Sequence, residues 1–256
     1  MSDSDKKVEC GTHGESDATF VCHHLLGGEK LGFNLGLDPE DPYQLYPDAW
    51  CDKCEQVWIE EGEWNERSEK FADIRLLCAH CYEDSRERNW LQDEDKLQKL
   101  IQTGVNYLEE RQQFFIDKFK LNDHERWDWD QDSGSLIFSH EGKPQVEAEI
   151  HFSGSFSSNT NTWMWAWANN YLNENVKSAS RLIQDIGLEH NIMKLSSAHW
   201  AAEEVDGWEM TSILAKELDA IGAYRTAKDN GYTFMVVTKA KWVNKNKILS
   251  FFGKNA

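Results

Sequence analysis

Apolar and polar positions change rhythm along this chain. Over residues 89–120, Leu97, Leu100, Ile101, Val105, Leu108, Phe115 and Phe119 recur at three- and four-residue spacing among charged residues, which predicts one long amphipathic helix. Beyond Asn122-Asp123 the rhythm shortens to alternation over residues 126–130, 135–139 and 145–156. Asp132-Ser133-Gly134 and His140-Glu141-Gly142 punctuate these stretches as turns, so they read as an antiparallel meander. Residues 162–168 (TWMWAWA) alternate Trp with smaller side chains and read as a further strand. Residues 172–186 and 208–221 are helical by periodicity, and residues 232–243 read as a final strand.

The first 90 residues follow no such rhythm. Residues 1–7 are polar and are expected to fray. All six cysteines fall between Cys10 and Cys81, together with Pro39, Pro42, Pro47 and many glycines, so something other than a large core organises this stretch. Residues 25–47 read as an extended connection with Gly-Gly and Asp-Pro turns. The expected class is α+β: a small loop-rich zinc-binding module over residues 1–90, a long linking helix, then an antiparallel sheet packed with helices within a Trp-rich domain, residues 91–256.

The cysteine spacing names the chemistry. Cys51-x2-Cys54 and Cys78-x2-Cys81 stand 23 residues apart, the arrangement in which two knuckles supply four thiolates to one tetrahedral zinc. Cys10-x2-His13 and Cys22-His23-His24 offer a second set of two thiolates and two imidazoles; His24 has the more usual knuckle reach, with His23 the alternative. His80, inside the last knuckle, is expected outside the sphere. The metal ligands are thus Cys10, His13, Cys22, His24, Cys51, Cys54, Cys78 and Cys81, serving two structural Zn2+ ions. Sequential pairing is the first choice, and an interleaved cross-brace is the alternative. Four protein ligands per ion leave no open position for water, so neither site reads as catalytic.

Charge narrows the partners. The chain carries 45 acidic and 27 basic residues, net −18, and residues 1–90 account for 21 acidic and 9 basic, or −12. That balance disfavours phosphate backbones and anionic lipid; it reads first as keeping a Trp-rich protein in solution, and otherwise as the complement of a basic protein partner. No apolar run approaches the roughly 20 residues that span a bilayer, and residues 1–15 hold no apolar segment of signal-peptide length. Reduced cysteines in a cytoplasmic protein are the expectation.

Trp163-Met164-Trp165-Ala166-Trp167-Ala168-Asn169 would put three indoles on one strand face, as a core wall or, alternatively, a ligand groove. With these residues the chain resembles an uncharacterised bacterial family marked by a W-x-W-x-W-A-N segment and a later stretch like Gly222-Ala223-Tyr224-Arg225. The resemblance covers roughly residues 95–243; it implies domain identity and bacterial origin and carries no chemistry. The stretch from Cys10 to Cys22 resembles bacterial cysteine–histidine knuckle domains, proteins of a kind associated with toxin, immunity and phage-defence functions.

No nucleophile elbow, phosphate loop or HExxH motif is present. His124, His140, His151, His190 and His199, with Glu147, Glu149, Glu203 and Glu204, are scattered; His151 and Glu149, two apart on a strand, could pair as acid and base. No catalytic or cofactor-binding residue is assigned. The expected function is a non-enzymatic bacterial binding protein, in concrete form an immunity protein against a basic toxin; the alternative is a small-molecule-binding or hydrolytic domain using the Trp-lined face.

Overall fold

The computed structural model describes residues 7–38, 40–41, 44–91, 94–228 and 230–243. The expectations for residues 1–6, Pro39 and Pro42 fall outside them. The chain divides into two compact units, Met1–Gln92 and Asp93–Ala256.

The first unit contains β1 (Lys7–Cys10), β2 (Gly14–Val21), α1 (His24–Gly27), β3 (Asn34–Gly36), β4 (Asp48–Trp50), α2 (Asp52–Glu61), α3 (Glu66–Ala72), β5 (Arg75–Cys78) and α4 (Ala79–Asn89). Lys7, expected to fray, belongs to β1, and its Nζ lies 2.6 Å from the Asp17 carboxylate. Strand β2 is the hub: β1 pairs with its first half and β5 with its second, both antiparallel, while β4 meets its end in parallel at Val21–Ala49. Val21, Leu25, Phe33, Ala49 and Tyr82 form a small core together with Cys22, Cys51 and Cys54. Ser85 Oγ and Asn89 Nδ2 of α4 donate to the Leu25 carbonyl at 2.9 and 3.2 Å, which satisfies an end of α1 that a four-residue helix leaves open. Asn65 starts α3 by accepting from the Arg67 and Ser68 N–H groups, and Ser68 Oγ accepts from the Asn65 N–H.

The second unit opens on α5 (Glu94–Phe119). The single long helix predicted over residues 89–120 is α5, which starts at Glu94; Asn89 closes α4, with Trp90 in extended backbone. Then come β6 (Arg126–Asp130), β7 (Ser135–His140), β8 (Lys143–Ser157), β9 (Thr162–Trp165), α6 (Glu174–Lys177), α7 (Arg181–His190), α8 (Met193–Ser196), β10 (His199–Ala201), α9 (Glu204–Glu217), β11 (Gly222–Lys228) and β12 (Gly231–Trp242). The seven strands make one antiparallel sheet with the 15-residue β8 as its spine. Strand β12 runs along one edge of β8, and β7 followed by β9 share the other. Register shifts between Phe234 and Met235 and between Val237 and Lys239 bend the sheet. Trp127 of β6 meets Tyr224 of β11 edge-on at 5.4 Å, so the two outer strands approach each other over a common core. That core holds Leu136, Phe138, Ile150, Phe152, Met235 and Val237, joined by Phe115 and Phe119 of α5.

Two close approaches fix the helices. Gly104 of α5 lies against α9, where an added Cβ would stand 2.6 Å from the Ser212 carbonyl carbon; a Cβ on Gly207 of α9 would stand 2.5 Å from the Phe234 ring. Gln112 of α5 donates to the Ala223 carbonyl at 3.0 Å and accepts from its N–H at 2.8 Å, covering the outer edge of β11.

The tryptophan segment departs from expectation at one point. The strand stops at Trp165, and Ala166–Ala168 form a 3-10 turn. Trp163 and Trp165 share a strand face and are fully buried. Trp167, 4% exposed, reaches the interior from the turn instead. Trp165 Nε1 donates to the Lys194 carbonyl at 2.8 Å, and Asn169 Oδ1 accepts from the Tyr171 N–H at 2.9 Å. Residues 172–186 split into α6, a 3-10 turn and the start of α7, and β10 and β11 are strands the periodicity did not announce.

Candidate metal centres

Both Cys-x2-Cys pairs straddle a helix start. Cys51 and Cys78 occupy the N-cap positions of α2 and α4, with Cys54 and Cys81 three residues on. A helix N-terminus presents free N–H groups and a partial positive charge, which favours thiolate over thiol. Cys78 Sγ accepts from the Cys81 N–H at 3.4 Å. The Cys10-x2-His13 pair sits in the β1–β2 hairpin, where Cys10 pairs with Gly14 and the glycine takes φ +70° to close the turn. Cys22 and His24 follow directly from the end of β2.

These eight ligands gather into two sets, Cys10, His13, Cys78 and Cys81, and Cys22, His24, Cys51 and Cys54. The pairing is neither sequential nor interleaved. It is nested: the first and last pairs make an outer site, the two middle pairs an inner one. Strand pairing imposes this. The parallel contact of Val21 with Ala49 carries the next residues, Cys22 and the approach to Cys51, side by side, and the Cys51 N–H donates to Cys22 Sγ at 3.3 Å. Strand β5 runs antiparallel to β2 and brings Cys78 opposite Ala18, toward the hairpin that carries Cys10 and His13.

The donor geometry fits a small tetrahedral ion. Bonds of about 2.3 Å to sulfur and about 2.0 Å to nitrogen at the tetrahedral angle give ligand-to-ligand edges of about 3.8 Å for S–S and about 3.5 Å for S–N. Cys51 and Cys54 sulfurs lie 3.7 Å apart and Cys54 lies 3.3 Å from His24 Nδ1. His13 Nδ1 lies 3.6, 3.4 and 3.5 Å from the sulfurs of Cys10, Cys78 and Cys81. Each set supplies three sulfurs and one imidazole Nδ1. His23 Nδ1 stands 3.0 Å from the Ala72 carbonyl instead, and the exposed His80 packs its ring 5.0 Å from that of His13, outside the sphere.

Electrostatics inside each set call for a cation. The backbone N–H groups of Thr12 and His13 draw the Cys10 thiol down to about 6, while burial and then Cys78 push Cys81 up to about 12. Hydrogen bonds from Cys22 and Cys54 draw Cys51 down to about 2, and Cys54 is pushed up by Cys22 and Cys51. Sulfurs this close cannot all ionise beside one another; a divalent ion removes the repulsion and lets all three be thiolates. The sites differ in exposure: Cys22, Cys51 and Cys54 are at most 1% exposed, whereas Cys10 and Cys81 are half-buried and His13 is exposed.

The remaining polar candidates do not converge. His151 Nε2 lies 3.9 Å from the Glu149 carboxylate, as their spacing suggested, yet Glu149 is also held by Lys239 and Thr238 on an exposed sheet face. Glu147 pairs with Lys241 and Glu204 with Arg225; His140 lies 3.7 Å from Glu125, and His124 Nε2 lies 3.1 Å from the Phe119 carbonyl. His190 ends α7, His199 opens β10, and the Glu203 N–H starts α9 by donating to Asp206. No helix among the described residues is long and apolar enough to cross a membrane.

Fold and sites together define an α+β protein in which one compact unit carries two metal-ligand clusters and the other is built on a seven-stranded sheet. Residues 98–240, more than half of the chain, match the model of a family of unknown function, DUF6882, and the chain belongs to that family. No curated protein and no solved structure matches it.

Proposed function

We propose that this is a non-enzymatic binding protein whose first unit is stabilised by two structural zinc ions and engages a basic protein partner. The observation that carries the reading is the pair of filled coordination sets: each Cys3His cluster spends all four tetrahedral positions on protein, which suits a scaffold and leaves no place for a reacting water. Soft thiolates with one imidazole select zinc over hard cations. The net charge of −12 on residues 1–90 supports a basic partner, since complementary charge raises encounter rates and rejects acidic competitors. A bacterial immunity or defence protein that neutralises a basic toxin in the cytoplasm is the concrete form of this reading, in keeping with the resemblance of the Cys10–Cys22 stretch to knuckle domains of that association.

Panning a library of displayed protein fragments against the immobilised, metal-loaded protein tests it. The reading expects net-positive fragments to be enriched and their binding to vanish when the metals are removed; enrichment of acidic fragments, or indifference to metal, would refute it. The alternative reading, a ligand groove along the tryptophans, has less support, because Trp163, Trp165 and Trp167 are all buried.

A further inference from the structure

The first unit also bears an aromatic groove that none of the eight candidate ligands lines. Phe20, Trp50, Trp64 and Ile74 line a cavity of about 350 Å³, together with the acidic residues Asp48 and Glu69. Trp50 and Trp64 stand nearly perpendicular, 77° between planes with centroids 5.1 Å apart, and both line the groove. The Trp50 ring is fixed twice: its Nε1 donates to Glu55, and it lies over Gly36, where an added Cβ would stand 2.9 Å from Cζ3. Phe20 is 37% exposed and Ile74 42%, a cost in apolar hydration that a monomer's core would not incur. The Glu69 carboxylate, exposed on α3, has no cationic partner among the described residues.

Aromatic faces beside an unpaired carboxylate suit one kind of guest. A cation is attracted by the negative faces of the rings and by the acid together, while its aliphatic stem covers the apolar walls. An anion would be repelled, and a purely apolar side chain would desolvate Glu69 without return. We infer that this groove receives a lysine or arginine side chain of the protein partner, stacked on Trp64 and Trp50 and neutralised by Glu69. The inference rests on the basic-partner reading above and gives it a location.

The test uses the full-length, metal-loaded protein and short peptides bearing a central lysine or arginine, with norleucine and citrulline versions as neutral isosteres, followed through the indole N–H resonances of Trp50 and Trp64. The expected result is saturable binding of the cationic peptides that shifts both indoles, with the isosteres about 10-fold weaker or worse. Trp64→Ala and the surface change Glu69→Gln should each weaken binding about 10-fold, within the range that cation–π and charge contacts supply, with the metal count unchanged. Cationic peptides that bind Glu69→Gln and Trp64→Ala as well as the parent would overturn the groove and leave the basic-partner reading standing. Peptides that fail to bind while net-positive fragments are still enriched in panning would do the same; failure of both experiments would overturn both.

Discussion

Trp163 and Trp165 offer a comparison in which most of the uncertainty cancels. Both are fully buried, both lie on the same face of β9, and their rings stand 5.4 Å apart at 89°. Their indole nitrogens differ: Trp165 Nε1 donates to the Lys194 carbonyl at 2.8 Å, whereas Trp163 Nε1 has no hydrogen-bond partner among the described residues. Replacing either by Phe removes a similar volume and leaves a similar cavity, a cost of a few kcal/mol in each case. Trp165→Phe also removes the hydrogen bond to the part-buried Lys194 carbonyl, which adds about 0.5–1.5 kcal/mol. For a unit of this size each kcal/mol is worth roughly 2–4 °C in Tm, so Trp165→Phe should melt about 1–6 °C below Trp163→Phe. Calorimetry on the two variants side by side measures the gap. Equal Tm values, or a lower one for Trp163→Phe, would refute the assignment of that hydrogen bond as the distinguishing contact.

Further expectations follow from the metal sites and the helix contacts. If about 10–16 kcal/mol of zinc affinity is shared among four ligands, losing two from one ion costs roughly 5–8 kcal/mol, or about 10⁴–10⁶-fold. Cys10→Ser with Cys81→Ser should therefore leave one tightly held zinc by native mass spectrometry, whereas Cys10→Ser with Cys22→Ser should weaken both. Chelator should strip the wild-type protein in two phases, the exposed outer site first, and loss of the inner ion should abolish the circular dichroism of the first unit; a single phase would contradict the difference in exposure. Gly104→Ala, favourable by about 1 kcal/mol in a free helix, should instead destabilise by about 1–3 kcal/mol because its Cβ would meet Ser212. Burial pushes His151 below its ordinary value against the opposing pull of Glu149. The unfolded chain then binds the proton more readily, so the stability this group contributes is present above its unfolded pKa and falls as pH drops through about 6.5. A proton NMR titration showing His151 protonating above 6.5 would contradict this.

The eight residues that gather into the two clusters could be picked out of the sequence, and so could most of the elements of the second unit. Two-residue gaps between cysteines, three-residue helical periodicity and two-residue alternation are local signals, and β6, β7, β8, β12 and α5 all sit where their rhythm placed them. What escaped is non-local. Which pairs of ligands share an ion depends on β4 meeting the end of β2 at Val21 and β5 running back along it to Ala18, contacts between residues some 28 and 60 positions apart. No spacing rule encodes them. The end of β9 was hidden for another reason: Trp167 continues the alternation of Trp163 and Trp165 in sequence, while the backbone turns at Ala166 and delivers the third indole to the interior by a different path. Strand β10 is three residues long, too short for any rhythm to register, and β11 (GAYRTAK) mixes small, aromatic and charged residues without a sustained alternation.

The nested pairing of the two candidate ligand sets is the centre of this account, and proton–cadmium correlation NMR on the protein loaded with 113Cd addresses it through bonds. The nested pairing predicts two cadmium resonances, both of the three-sulfur, one-nitrogen type, with the β-protons of Cys10, Cys78 and Cys81 coupled to one and those of Cys22, Cys51 and Cys54 to the other. One four-sulfur resonance coupled to Cys51, Cys54, Cys78 and Cys81, beside a two-sulfur resonance coupled to Cys10 and Cys22, would contradict it.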